Sequence, residues 1–378
     1  MEREAYQSLV EKAQRIVVKV GTSTLTHSTG KLNLEHIEHL VRQLTDLRYQ
    51  GKEVVLVSSG AIGAGMGKMN LDKRPKTIPE KQAVAAIGQG ILMQLYEKLF
   101  SEYGQTVAQL LLTKSDMDDR RRFLNARNTL VTLLQLGVIP IINENDTVAV
   151  EEIRFGDNDT LAALVATLVD ADLLILLSDI DGLYTADPRK HPDAELIGVV
   201  PAIDASVEGA AGDVGSKFGS GGMATKIGAA KIATNAGIPM LIANGAEDGI
   251  VRRLIHGESL GTLFLARELK PHLRKSWIAF GSKVEGAITV DDGAKTALIE
   301  KGKSLLPSGI IAVSGNFHSG EVVSILDSQG REFARGITNY DQVELSRIKG
   351  VKCKDICGIL GYKDYDEAIH RDNLSLRL

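Results

Sequence analysis

The chain has 378 residues, enough for two domains, and its 44% hydrophobic and 24% charged residues are typical of a globular protein. A formal net charge of −4 excludes a general electrostatic attraction to nucleic acid or to anionic membranes. The N-terminus lacks an apolar signal segment, and no run approaches the ~18 apolar residues of a membrane span. We therefore expect a cytoplasmic protein without a membrane partner.

Six short apolar runs recur along the first two thirds of the chain, separated by segments with helical periodicity. Each run is almost continuously apolar, as expected of strands that are buried on both faces of a parallel sheet. The runs are RIVVKV (15–20), EVVLVS (53–58), TVAQLLL (106–112), VIPIIN (138–143), ADLLILLS (171–178) and IPMLIA (238–243).

The segments between these runs predict helices. Residues 34–50 place apolar side chains on one face after Asn33, a candidate N-cap, and residues 80–102 follow Pro79. Residues 160–169 are apolar all round and predict a buried helix. This alternation predicts an α/β fold, a three-layer α/β/α sandwich with a mostly parallel sheet, whose ligands bind at the carboxyl ends of the strands.

The pattern changes after residue 276, where short, glycine-punctuated runs predict a small β-barrel or sheet with one helix near 294–302. The charged, proline-containing segment 266–276 is the linker candidate. The predicted division is a first domain (1–270), a linker (271–283), a β-rich domain (284–362) and a C-terminal tail (363–378).

The chain has two cysteines, Cys353 and Cys357. A structural zinc site needs about four ligands, and no second Cys or His pair lies nearby. We expect two reduced thiols and no metal site built from protein ligands alone.

Two glycine-containing segments deliver a lysine to a strand end or a helix start. In VVKVGTSTLT (17–26), Lys19 ends a strand and Gly21 opens the turn. In GSGGMATK (219–226), a glycine stretch precedes a helix that begins near Thr225 and carries Lys226. Lysine, main-chain N–H groups and a helix N-terminus together favour phosphate binding. A solvated strand-end lysine and a flexible loop are the alternatives.

A third glycine cluster, VVLVSSGAIGAGMG (54–67), places Ser58 and Ser59 between a strand and a helix. Its main-chain amides can surround an anion, although close packing of the helix would also require glycine. The spacing is not that of a dinucleotide-binding fingerprint. Gly302-Lys303-Ser304 is not a P-loop either, because Ala297 stands where the first glycine is needed.

Acidic and amide residues follow two further strands. The segments PIINENDTVA and RFGDNDTLAAL contain more such groups than helix capping requires. These groups can recognise an ammonium and a carboxylate, or they can orient lysines, and plain turn residues are the alternative. Asp159, directly before Thr160, is the candidate N-cap. Ser178 and Asp179 end another strand and suit a ribose or a metal-bound water, with plain turn chemistry as the alternative. The acidic and amide residues of PIINENDTVA and RFGDNDTLAAL are Asn143, Glu144, Asn145, Asp146, Asp157, Asn158 and Asp159.

In this order, VVKVGTSTLT, VSSGAIGAG, FLNARNT, PIINENDTVA, FGDNDTLAAL, LLSDIDGLYTADPR and GSGGMATK resemble the amino acid kinase family. Within that family they resemble the branch that phosphorylates glutamate in the first step of proline biosynthesis. The likeness covers almost the whole chain, and residues 284–362 resemble a PUA domain. The pairing of NEND with GDND is typical of this branch. Ser178 and Ser220 stand where relatives often have threonine.

The resemblance implies an ATP- and Mg²⁺-dependent kinase that converts L-glutamate to L-glutamyl 5-phosphate. It implies that Lys19 and Lys226 contact the transferring phosphoryl group. Asp159 or Asp157 could orient these lysines, and Asp159 is our first choice. The expected glutamate contacts are Ser59, Asn143, Asp146 and Asn158. The expected nucleotide contacts are Lys19, Ser178, Asp179, Ser220, Gly221, Gly222, Met223, Ala224, Thr225 and Lys226.

The resemblance also implies inhibition by proline and assembly into a dimer or tetramer, and the labile product suggests a glutamyl phosphate reductase as partner. The nearest alternative is a sister kinase for N-acetylglutamate, aspartate, carbamate or a nucleotide. The other alternative is an RNA-binding PUA protein. Residues 277–378 contain 13 Lys and Arg against 14 Asp and Glu, a balance of −1, so we expect no nucleic acid partner.

Overall fold

The computed structural model describes residues 2–27, 31–71, 73–149, 157–188, 190–211, 222–266 and 284–376. The chain forms two compact units, Met1–Glu268 and Leu269–Leu378. The predicted linker 271–283 lies outside the described residues. The predicted domain limits stay a prediction.

The first unit is built around an eight-stranded sheet with the strand order β3-β4-β2-β1-β5-β7-β8-β6. The first six strands in this order pair in parallel, β8 is antiparallel to β7, and β6 is parallel to β8. The strands are β1 (Arg15–Val20), β2 (Glu53–Ser58), β3 (Val107–Leu112), β4 (Ile139–Glu144), β5 (Leu173–Ser178), β6 (Val199–Val200), β7 (Met240–Asn244) and β8 (Thr262–Phe264).

Helices cover both faces of this sheet. They are α1 (Glu2–Lys12), α2 (Thr22–Leu25), α3 (Leu34–Tyr49), α4 (Ala61–Met69), α5 (Ile78–Glu102), α6 (Lys114–Asp118), α7 (Arg120–Gln135), α8 (Asn158–Leu168), α9 (Ala205–Ala211), α10 (Met223–Asn235) and α11 (Ile250–Ile255). Asn33 caps α3 through a hydrogen bond from His36 N, as its position predicts.

Two apolar cores, one on each face, explain the alternation along β1. Ile16 and Val18 pack into the core that contains α3 and α5, whereas Val17 packs into the core that contains α8 and α10. Side chains alternate between the faces of a strand, so Lys19 lies on the same face as Val17. The three-layer α/β/α sandwich with a mostly parallel sheet is confirmed.

The second unit contains a five-stranded sheet with the order β10-β9-β11-β12-β13 and its own apolar core. Its helices are α12 (Asp292–Lys301), α13 (Gln342–Ile348) and α14 (Ile356–Leu360). Residues 374–376, in the segment predicted as a tail, pair with β12. The strands are β9 (Gly286–Val290), β10 (Ile310–Gly315), β11 (Val322–Leu326), β12 (Glu332–Ile337) and β13 (Leu374–Leu376).

Within the described part of the chain, none of the helices has the length and apolar character needed to cross a membrane. Cys353 and Cys357 are both free, and Cys357 is exposed.

Candidate active site

Three buried charged side chains meet at the carboxyl end of β1. Lys19 Nζ lies 2.6 Å from Asp159 Oδ1, and Lys226 Nζ lies 3.0 Å from Asp159 Oδ2. The three side chains are 9%, 1% and 5% exposed, respectively. Two ammonium groups therefore share one carboxylate, and we call Lys19, Asp159 and Lys226 the charged triad.

Local sequence places each member of the triad. Lys19 is the penultimate residue of β1, on the face covered by α8 and α10. Asp157, not Asp159, caps α8, and it accepts a hydrogen bond from Thr160 N at 2.8 Å. The N-cap prediction for Asp159 is wrong by two residues, and the shift turns Asp159 inward between the lysines. Gly222 is the N-cap of α10, so Lys226 lies in the first turn of this helix.

Burial and charge act in opposite directions on the two aspartates. Burial by itself raises the pKa of Asp159, but the charges of Lys19 and Lys226 outweigh it and hold that pKa below its ordinary value. At Asp157 burial is also the largest influence, and together with the charge of Asp159 it raises the pKa despite the hydrogen bond from Thr160 N. The lowered pKa keeps Asp159 ionised between its two lysines.

Amide side chains form a second polar group at the carboxyl ends of β2 and β4. Asn158 Nδ2 donates to Ser59 Oγ at 2.8 Å and to Asn143 Oδ1 at 2.9 Å. Asn143 Nδ2 donates in turn to Gln89 Oε1 at 2.8 Å. We call Ser59, Gln89, Asn143 and Asn158 the amide cluster. Because Asn158 and Asp159 are consecutive on α8, this cluster adjoins the charged triad.

Gln89 is the residue that the sequence analysis missed. It lies on α5, together with Gln82, which donates to Ala149 O, and Tyr96, whose hydroxyl lies 2.9 Å from Ser58 Oγ. A spacing of seven residues puts all three on one face of the helix. Three hydrogen-bonding residues at this spacing on one helix are the signal that was available.

Asp146 lies in the turn after β4 and is half-buried. The turn begins where Asn145 N bonds to Leu112 O, which ties it to the end of β3. Of the four residues predicted to contact glutamate, Ser59 and Asn143 each accept a hydrogen bond from Asn158, and Asp146 follows Asn143 by three residues.

The residues predicted to contact a nucleotide lie at two neighbouring places. Ser178 ends β5 and donates to the exposed Asp179 at 3.1 Å. At the start of α10, Thr225 Oγ1 donates to Gly222 O at 2.7 Å and lies 3.4 Å from Asp159 Oδ2, which places the helix start next to the charged triad. Met223 is buried and Ala224 is exposed. Ser220 and Gly221 lie outside the described residues.

Glycines in the 54–67 cluster serve different purposes. Gly60 adopts φ +95°, a left-handed conformation that favours glycine, and it caps α4. A Cβ at Gly65 would lie 2.0 Å from Val84 O, and one at Gly88 would lie 1.7 Å from Ala61 O. The close-packing alternative therefore holds for Gly65, which lets α4 and α5 touch through their backbones.

Across the described ranges of the chain, no group of three or more His, Cys, Asp or Glu side chains is arranged to hold a metal ion.

Comparison with known proteins identifies the family of this chain. The family model described as amino acid kinase family matches residues 14–244, and the model of the PUA domain matches residues 286–360. Glutamate 5-kinase from Moorella thermoacetica is 58% identical over 373 residues, 99% of this chain and 98% of that protein. Glutamate 5-kinase from Caldanaerobacter subterraneus subsp. tengcongensis is 59% identical over 360 residues, 95% and 97% of the two chains. The chain belongs to the amino acid kinase family.

Proposed function

We propose that this chain transfers the γ-phosphoryl group of ATP to the side-chain carboxylate of L-glutamate and forms L-glutamyl 5-phosphate, the first step of proline biosynthesis. The charged triad is the observation that carries the proposal. It combines two positive charges with one negative charge in a site that is almost closed to water. Two neighbouring ammonium groups in such a site attract an anion, and a transferring phosphoryl group is such an anion.

The acceptor needs no general base. A glutamate side chain has an ordinary pKa of about 4.3, so it is ionised and nucleophilic at neutral pH. The task of the site is then to align carboxylate and phosphate and to neutralise the charge that spreads over the phosphoryl oxygens. Lys19 and Lys226 perform the second task in this proposal, and Asp159 holds the two ammonium groups in place.

The amide cluster provides the amino-acid side of the site. Ser59, Asn143 and Asn158 supply hydroxyl and amide groups, and Asp146 supplies a carboxylate that suits a free ammonium. This chemistry favours glutamate over an N-acetylated relative, whose nitrogen carries no charge. It is supported by the identity of 55–59% to relatives named Glutamate 5-kinase.

The nucleotide side is assigned to Ser178 and Asp179 at the end of β5 and to residues 220–226 at the start of α10. Asp179, an exposed carboxylate next to the end of β5, would be available to phosphate-bound Mg²⁺, and the ion would supply charge neutralisation there. The assignment of Asp179 can be checked with the variant Asp179→Asn. Its ATP KM should rise, and its glutamate KM should not.

The deciding experiment is an acyl-phosphate assay on a panel of acids. Purified protein, ATP and Mg²⁺ are incubated with glutamate, N-acetylglutamate, aspartate or carbamate, and the product is trapped as a hydroxamate. We expect product with glutamate at a kcat/KM far above that with the other acids. Preference for another acid, or nucleotide phosphorylation instead, would establish a sister kinase.

Regulation and partners follow from the same proposal. We propose that proline inhibits the enzyme, that the chain assembles into a dimer or tetramer in the cytoplasm, and that a glutamyl phosphate reductase consumes the labile product. Light scattering, proline titration of the glutamate assay and a rate gain on mixing with the reductase test these three points separately. Salt-sensitive RNA retention by the chain would instead favour the RNA-binding alternative.

A further inference from the structure

The orientation of the amide cluster follows from one main-chain group. Glu144 N donates to Asn143 Oδ1 at 2.9 Å, and a main-chain N–H can only donate. This bond fixes which end of the Asn143 amide is oxygen. Asn143 Nδ2 must then face Gln89, whose Oε1 accepts at 2.8 Å.

The same logic determines which atoms remain for a ligand. With Oε1 directed at Asn143, the amide nitrogen of Gln89 is left, and the described residues contain no partner for this half-buried donor. Ser59 Oγ accepts from Asn158 Nδ2 at 2.8 Å, so the Ser59 hydroxyl hydrogen is also available for donation. Two N–H or O–H donors and the Oδ1 acceptor of Asn158 therefore border the same site.

Packing holds the Gln89 donor in place. The neighbouring Gly88 contacts Ala61 O so closely that a side chain there would lie 1.7 Å from this oxygen. Ala61 begins α4, two residues after Ser59. Gln89 is thus anchored on a packed helix directly beside the loop that carries Ser59, which preserves the geometry a specific hydrogen bond needs.

We propose that Gln89 determines specificity for the amino-acid substrate by donating from Nε2 to its α-carboxylate, next to the Ser59 hydroxyl. This inference rests on the proposed function. Two donors suit a carboxylate, whereas an ammonium needs acceptors, which Asn158 and Asp146 supply. Gln89 is then the group that separates an α-amino acid from an acid without the α-carboxylate.

The test is Gln89→Glu, which keeps an acceptor for Asn143 Nδ2 but replaces the donor by a negatively charged acceptor. We expect the KM for glutamate to rise roughly ten- to hundredfold, as for the loss of a hydrogen bond to a charged group. The ATP KM and the thermal midpoint should change little. If Gln89 only holds Asn143 in place, Gln89→Glu will have an unchanged glutamate KM, and the inference is then wrong.

Gln89→Met provides a second measurement that does not depend on how Gln89→Glu folds. It removes donor and acceptor at similar length, and we expect a glutamate KM at least tenfold above wild type with an ATP KM within about twofold. An unchanged glutamate KM in this variant also overturns the inference. The wild-type protein is assayed with glutamate in parallel. If the wild type does not turn over glutamate, the proposed function is wrong. If it does and the variants keep its glutamate KM, only the inference about Gln89 is wrong.

Discussion

The Asp159 carboxylate lies between two ammonium groups. Replacing Lys226 by alanine leaves the Lys19–Asp159 pair, with opposite charges 2.6 Å apart, but removes one of the two ammonium groups. The site should therefore attract a phosphoryl group less strongly, while Asp159 keeps a charged partner.

We expect Lys226→Ala to lower kcat at least a hundredfold, because one electrostatic donor in an active site is commonly worth ~2.7–4 kcal/mol. Steady-state kinetics with saturating ATP measure this effect, and circular dichroism reports the fold. Lys231→Ala is the matched control, since Lys231 lies on the same helix with a 41% exposed side chain. Near-normal turnover of Lys226→Ala would remove the electrostatic role.

Asp159→Asn tests the pH dependence of the charged triad. Because the folded pKa of Asp159 is lowered, its contribution to stability is fully present above the unfolded value of about 3.9 and is lost as pH falls through the lower folded value. Urea unfolding of wild type should weaken with acidification over this range, and the asparagine variant should depend less on pH. At pH 7 the variant should lose about 3–5 kcal/mol. Parallel curves would contradict the assignment.

A substitution of Asp146 should affect the KM of one substrate and not that of the other. We expect Asp146→Ala to raise the glutamate KM by roughly tenfold or more and to leave the ATP KM almost unchanged, since a carboxylate contact to a substrate ammonium is lost. KM values for both substrates are measured on the same preparation. Equal increases in the two would show that Asp146 does not address the amino acid.

The crossing of α4 and α5 supports the amino-acid side of the site. Gly65 and Gly88 allow backbone-to-backbone contact, and Gln89 follows Gly88 directly. Any displacement of α5 at this crossing should therefore move Gln89 and the Ser59 loop together.

A pair of glycine substitutions on α5 measures this contact. Gly88→Ala would place a Cβ 1.7 Å from Ala61 O, whereas a Cβ at Gly90 meets nothing within 4 Å. We expect Gly88→Ala to cost about 1–3 kcal/mol in overpacking, and Gly90→Ala to be neutral or to stabilise the helix by about 0.5–1 kcal/mol. Unfolding by urea gives both values, and equal effects would show that the crossing is not tight.

At the scale of the whole molecule, every described residue of the charged triad and the amide cluster belongs to the unit Met1–Glu268. The two cores of this unit and the core of the second unit are each formed from residues of one unit. We therefore expect a fragment of residues 1–268 to fold and to retain glutamate-dependent phosphoryl transfer within about tenfold of the full chain. Hydroxamate formation measures this retention, and an inactive but folded fragment would assign the second unit an essential role.

The sequence alone predicted the six strands of the first unit that pair in parallel, and it singled out the residues of the triad. The strands RIVVKV and EVVLVS occupy the predicted residues 15–20 and 53–58, because a strand buried on both faces must be apolar almost throughout. Lys19 and Lys226 could be singled out because charged residues among glycines at strand and helix ends have few purely structural uses.

Only the tertiary structure decided which of these residues touch. Asp159 pairs with a lysine 67 positions away, and Asn143 meets a glutamine 54 positions away. Such contacts depend on the order of the strands and on how α4 and α5 cross, and local patterns carry no information on either. The N-cap of α8 is a further example. Local spacing allows either Asp157 or Asp159 to cap the helix, and only the positions of Lys19 and Lys226 show that Asp157 is the cap.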